Sequence, residues 1–357
     1  MEMAELTLTE LDALTELDAL SFNRIGQLLL NGYSPAIDQL QRTDLISHLA
    51  NILENEDSRI QKEILYVIGN LAYCSHEHAT LVVDSGILPK IVQLLTSSYH
   101  GDLRAMAVWV LGVIAGDGLA CRDSVLHNGA LTPILAQVFF SNLFGLRNVA
   151  WALYSLFHRG PLPPFEEVKF ALPFLVILMH HEDEHILVDS CETVSYLASG
   201  LEHQIASAIL AEISHRSVTL LGHLSRKVLV SALRIVQSMA AFDDLQRKIL
   251  IRSGVLHRLK HLMRSTTQRR STFLAIFKTI SNLMAGDIPI VRRFVLSRTI
   301  DELHQFLNNP DSEIQKAAAR TIHGVSCIGL HRDRIEIQEL VGSECMDAVC
   351  RILYPVP

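Results

Sequence analysis

Apolar residues recur along this chain at intervals of three and four, and short polar clusters interrupt them at regular distances. That spacing puts one face of each segment on a helical stripe. One string keeps returning: YVIGNLAYC (66–74), WVLGVIAGD (109–117), WALYSLFHR (151–159), ETVSYLASG (192–200), RIVQSMAAF (234–242), KTISNLMAG (278–286) and RTIHGVSCI (320–328). Its fifth residues are Asn70, Val113, Ser155, Tyr196, Ser238, Asn282 and Gly324, separated by 43, 42, 41, 42, 44 and 42 residues. Chance does not hold a phase through six intervals. NRIGQLLLNG (23–32) is a degenerate eighth copy one step upstream.

Each period also carries a shorter part: DSGILPKIVQLL (84–95), HNGALTPILAQV (127–138), RSGVLHRLKHLM (252–263). The glycine predicts a helix end, where positive φ costs other residues energy. Polar turns such as ENEDS (54–58) and NNPDS (308–312) follow. Their Asp57, Ser58, Asp311 and Ser312 are expected to N-cap the next long helix. Units of two or three helices near 42 residues predict an all-α solenoid of the armadillo or HEAT kind. About eight such repeats would fill residues 23–357, leaving 1–22 as an acidic N-terminal segment.

Composition narrows this further. With 49% hydrophobic and 19% charged residues and a mean hydropathy of +0.26, the chain cannot be disordered. Apolar runs are short: Phe170–Met179 is ten residues and contains Pro173, half of the roughly 20 that a membrane span needs. The acidic opening lacks the basic start of a secretory signal. Six scattered cysteines without a CxxC pair predict reduced thiols in an intracellular compartment. The net charge of −7 is unevenly placed: residues 1–57 hold 11 acids against Arg24 and Arg42, and residues 247–298 hold 12 Lys/Arg against Asp287. Such asymmetry bears on partners.

Residues 107–131 (AVWVLGVIAGDGLACRDSVLHNGAL), 145–164 (GLRNVAWALYSLFHRGPLPP) and 180–200 (HHEDEHILVDSCETVSYLASG) resemble three successive armadillo repeats of the importin-α family. The likeness runs from about residue 22 to the end and is most specific over 105–200. It implies a right-handed superhelical armadillo solenoid that binds lysine-rich nuclear localisation signals on its concave face. It further implies a protein found in nucleus and cytoplasm. In that family a Trp and, one turn later, an Asn project from each third helix. Side chains at i and i+4 share a helix face. Stacked Trp rings make slots for lysine stems and attract the ammonium, and an Asp fixes one lysine.

Carried onto this sequence, the resemblance implies a peptide site at Tyr66, Asn70, Trp109, Asp117, Asn148, Trp151 and Ser155. The Asn array is broken by Val113 and Ser155. A secondary row follows at Asp189, Glu192, Tyr196, Arg234, Lys278, Asn282 and Arg320. There Lys278 and Arg320 stand at Trp positions and would repel a cation, so a second signal site is not expected. The family's basic importin-β-binding segment has no counterpart at the acidic start, so direct importin-β binding is not expected. Its last repeat looks truncated after Tyr354.

No catalytic or cofactor motif stands up. His181-Glu182-Asp183-Glu184-His185 spells HExxH, but it falls in the turn before a third helix, where its histidines do not share a helical face. Gly116-Asp117-Gly118 has no third glycine and no preceding strand, and neither a phosphate-binding loop nor a GxSxG occurs. Cys345 and Cys350 alone cannot close a zinc site, so no metal and no cofactor are expected. The expectation is a non-enzymatic scaffold or adaptor gripping an extended peptide or protein in its groove, with a link to nuclear import. The alternative is an anionic surface or nucleic acid bound by residues 247–298.

Overall fold

A computed structural model of the chain describes residues 27, 29, 45–54, 57–198, 207–265, 268–286, 288–332 and 343–354. The acidic segment 1–22 and nearly all of the degenerate copy at 23–32 lie outside these. Every regular element among the described residues is helical. The chain forms two compact units, Met1–Thr193 and Val194–Pro357.

In the first unit the elements are α1 (Leu45–Ile52), α2 (Ser58–Cys74), α3 (His76–Asp84), α4 (Leu88–Ser97), α5 (Gly101–Asp117), α6 (Leu119–His127), α7 (Leu131–Phe140), α8 (Leu143–Phe157), α9 (Phe165–Val168) and α10 (Leu172–Met179). The helix α11 (Glu184–Ala198) runs across the boundary. The recurring strings fall at the C-terminal ends of the long helices α2, α5, α8 and α11, and α2, α5 and α8 pack in sequence. Their fully buried stripes include Ile64, Leu65 and Ile68, then Val108, Leu111 and Ile114, then Val149, Leu153 and Leu156. The predicted glycine turns are present: Gly86 and Gly129 sit at φ 75° and 72°, a region closed to most side chains.

Stacking of repeats is visible as hydrogen bonds one period long. Lys90 Nζ donates to the Ala50 carbonyl at 3.0 Å, Gln137 Nε2 to Leu95 at 3.2 Å, and Asn148 Nδ2 to Ala105 at 2.9 Å. Arg122, almost wholly buried, donates through Nη1 to the carbonyls of Arg159 and Pro161 at 3.0 and 2.7 Å. Lys90 and Gln137 thereby satisfy carbonyls that helix ends leave without a partner, and Arg122 does the same for the loop after α8.

In the second unit the elements are α12 (Ser207–Leu220), α13 (Arg226–Phe242), α14 (Asp244–Arg252), α15 (Val255–Arg264), α16 (Arg270–Met284), α17 (Ile288–Leu296), α18 (Thr299–His304), α19 (Ser312–Arg332) and α20 (Ser343–Leu353). Gly254 turns at φ 84° between α14 and α15, as the sequence predicts. Asp57 and Asp311 cap as expected, accepting from the amides of Arg59 and Glu313, both at 2.9 Å. Ser58 and Ser312, also expected as caps, are instead the first residues of their helices. With the Asp one place earlier already in cap geometry, the serine backbone is free to go helical. No single described helix is long and apolar enough to cross a membrane.

Candidate functional site

The site is built on α2, α5 and α8. Trp109 lies over α2 at Gly69, where an added Cβ would stand 2.1 Å from the ring's Cζ3. Trp151 lies in the same way over Gly112 of α5, at 2.7 Å. Each ring thus occupies the gap that a missing side chain leaves one helix back. Tyr66 continues the ladder, its ring centroid 6.3 Å from that of Trp109 with the planes 29° apart. All three rings are half-buried. The ladder stops at the next step. The glycine position becomes Tyr154, which stacks on His158 at 4.7 Å, and the ring position becomes Glu192.

The positions one turn after the rings are enclosed. Asn70, Val113 and Ser155 are 4%, 7% and 3% exposed. Ser155 Oγ faces Gly116 of the preceding long helix, 3.4 Å from where a Cβ would be. Asn148 is also engaged within the protein through its bond to Ala105.

Asp117 ends α5, half-buried. Its Oδ2 is 2.5 Å from Nδ1 of His76, at the first residue of α3, and 3.6 Å from Sγ of Cys121. Its main-chain carbonyl accepts from Arg159 Nη1 at 3.3 Å. Burial pushes the Cys121 thiol up to about 11, and the Asp117 carboxylate adds to the effect. The sequence marks Asp117 as a contact residue and His76, in His76-Glu77-His78, as a surface turn, but does not join them to each other or to Cys121. His76 comes from the previous period, and nothing local to Asp117 announces it.

Asp183, inside the HExxH string, caps α11 by accepting from the amides of His185 and Ile186. It also takes Arg147 Nη2 at 2.5 Å, which with those amides holds its carboxyl down to about 2. His181 lies in the turn and His185 in the first helical residues, the register read from the sequence.

In the secondary row, Asp189 is half-buried on α11. Burial pushes its carboxyl up to about 6 against the pull of His185, and Glu192 adds a smaller push. Glu192 and Tyr196 are half-buried, and Asn282 likewise, its carbonyl accepting from Arg247 Nε at 3.1 Å. Arg234, Lys278 and Arg320 are exposed, as their phase in the repeat requires. The Thr321 hydroxyl reaches the Phe277 carbonyl at 3.4 Å and accepts from Ser281 Oγ at 3.2 Å. Those contacts put Lys278 and Arg320 at matching levels of adjacent helices. Away from that row, Lys248, Ile251 and Arg252 of α14 and Pro289, Ile290 and Arg293 of α17 line a cavity of about 160 Å³.

Comparison with known proteins agrees with this architecture. Residues 75–116 match the Armadillo/beta-catenin-like repeat family. Importin subunit alpha-1b of Oryza sativa subsp. japonica is 36% identical over 254 residues, 71% of this chain and 47% of that protein. Importin subunit alpha-4 of Arabidopsis thaliana is 37% identical over 322 residues, 90% of this chain and 59% of that one. The chain spans about half the length of the first of these relatives. The crystal structure of an engineered protein superposes with a TM-score of 0.74 at 20% identity, covering 97% of this chain and 89% of its own. The fold is an armadillo-repeat fold.

Proposed function

We propose that this chain, a divergent armadillo-repeat relative of the importin α subunits, is a non-enzymatic protein-binding adaptor linked to nuclear protein import and present in nucleus and cytoplasm. In this reading an extended basic peptide lies across Tyr66, Trp109 and Trp151. The observation that carries it is the ladder of rings seated on Gly69 and Gly112. Half-open rings at regular intervals form slots for lysine stems and attract the ammonium by their π-faces. Charge supports the same ligand. The first unit has 24 Asp/Glu against 10 Lys/Arg, a net −14, and such a field gathers cationic ligands.

The grip on the peptide backbone is reduced. Val113 offers no hydrogen bond and Ser155 is short, and both are enclosed. Each lost hydrogen bond is worth about 0.5–1.5 kcal/mol. Two losses weaken binding by about one to two decades relative to an intact array, which gives roughly micromolar affinity. Calorimetry with a lysine-rich peptide should find such binding and should lose most of it in Trp151→Ala and in Asp117→Lys. Equal binding by the variants, or none by the wild type, would hand the groove to a dedicated protein partner instead.

A second reading rests on the other unit, which has 21 Lys/Arg against 14 Asp/Glu, a net +7. The exposed Lys278 and Arg320, with the basic cavity at Lys248, Arg252 and Arg293, suit an anionic partner, either an acidic protein segment or nucleic acid.

A further inference from the structure

Asp117, His76 and Cys121 form a cluster that the peptide reading does not use up. The three come from helices α3, α5 and α6, of two successive repeats. Their ligand atoms, an imidazole nitrogen, a carboxylate oxygen and a thiol sulfur, all lie within 4.8 Å of one another. Cys121 is 2% exposed and its sulfur is aimed at the Asp117 carboxylate, while His76 closes the cluster from the solvent side. A cluster with one S, one N and one O donor, buried on the sulfur side and open on the other, is chemically a partial transition-metal site.

We propose that His76 Nδ1, an Asp117 carboxylate oxygen and Cys121 Sγ bind one zinc ion, with water in the fourth position. The distances fit a small adjustment. Tetrahedral zinc with bonds of about 2.1 Å to N and O and about 2.3 Å to S sets its ligands roughly 3.4–3.6 Å apart. The Cys121 Sγ to Asp117 Oδ2 distance is already 3.6 Å. The His76 to Asp117 distance of 2.5 Å must open by about 0.9 Å. The His76 ring, mostly exposed, can turn to provide this.

The surroundings favour a cation at this point. The Asp84 carboxylate acts on Cys121 as a further negative charge, and the Thr80 hydroxyl stabilises the thiolate form. Arg159, a nearby cation, reaches the main-chain carbonyl of Asp117 rather than its carboxylate. On binding, the thiol gives up its proton to solvent and the metal takes its place between sulfur and carboxylate. A proton on Nδ1 of a neutral His76 moves to Nε2, so one proton is released per zinc bound to that form.

The site shares Asp117 with the peptide reading but does not rest on it, and its test uses no peptide. Cobalt(II) titrated into the purified full chain under reducing conditions should give one equivalent of a thiolate-to-cobalt charge-transfer band, and zinc should displace it. Cys121→Ser should abolish the band, while Cys74→Ser and Cys350→Ser should keep it. The exposed His76→Ala, which leaves the core untouched, should weaken zinc at least about tenfold in a competition with a chromophoric chelator. No charge-transfer band, a band that survives Cys121→Ser, or His76→Ala binding zinc as tightly as wild type would each overturn the proposal.

Discussion

Asp189 shows what a single side chain contributes when its helix face turns inward. Its carboxyl stands near 6 against an ordinary 3.8, raised mainly by burial. Between those values the folded chain holds a proton that the unfolded chain has released, so stability falls as pH rises through that window. At pH 7 the charge is present in both states and the penalty is complete. Asp189→Asn should therefore stabilise the protein at pH 7 by about 1–3 kcal/mol, since one pKa unit is 1.36 kcal/mol. Urea unfolding at pH 7 and again near pH 4 checks this, and the gain should shrink at the lower pH. The ring ladder is a second lesson at this scale. Trp109 and Trp151 could be picked out by phase, and Gly69 and Gly112 stand three residues after the Tyr66 and Trp109 positions in plain view. What a single helix cannot tell is that the next repeat's ring fills that gap, because the contact joins residues 40 and 39 positions apart.

At the scale of elements, the turns carry most of the information that was readable beforehand. Positive φ at Gly86, Gly129 and Gly254, and the caps at Asp57 and Asp311, follow from local backbone chemistry, which sequence reports directly. The HExxH string was legible for the same reason, since its register matches the other cap turns. Asp183 joins two elements there: it caps α11 and holds Arg147 of α8. Its carboxyl is depressed to about 2 from 3.8, so its contribution is fully present above about 3.8 and is lost as pH falls through about 2. The Arg147 side chain is 44% exposed, so solvent screens the ion pair and the cap carries most of the effect. Asp183→Ala should cost about 1–2 kcal/mol at pH 7. That deficit, followed by chemical denaturation, should narrow as pH drops from 4 towards 2.

At the scale of the molecule, the period, the all-helical class and the armadillo fold were legible because a repeat restates the same packing problem every 42 residues or so. The Asp117 cluster was not. Its three ligands belong to two repeats, and their spacing of 41 and 4 residues forms no local pattern. The charge asymmetry was visible as blocks, but only the division into two compact units turns it into −14 on one and +7 on the other. That division makes the ligand preference of the second unit testable by itself. Lys278 and Arg320 are exposed, so reversing them does not disturb the core, and circular dichroism of Lys278→Glu/Arg320→Glu should match wild type. An exposed ion pair is worth about 0.2–1 kcal/mol, and reversal replaces each attraction with a comparable repulsion. Two reversals should then cost an acidic peptide about 1–3 kcal/mol, roughly tenfold or more in Kd. Binding should also weaken with salt, because exposed charges more than about 10 Å apart are screened at 0.1 M. A single-stranded oligonucleotide used as the second probe separates the two anionic classes, since its affinity should follow counterion release more steeply. Affinity for both probes that ignores salt and the double reversal would remove the anionic reading and leave the ring ladder of the first unit as the only candidate contact surface.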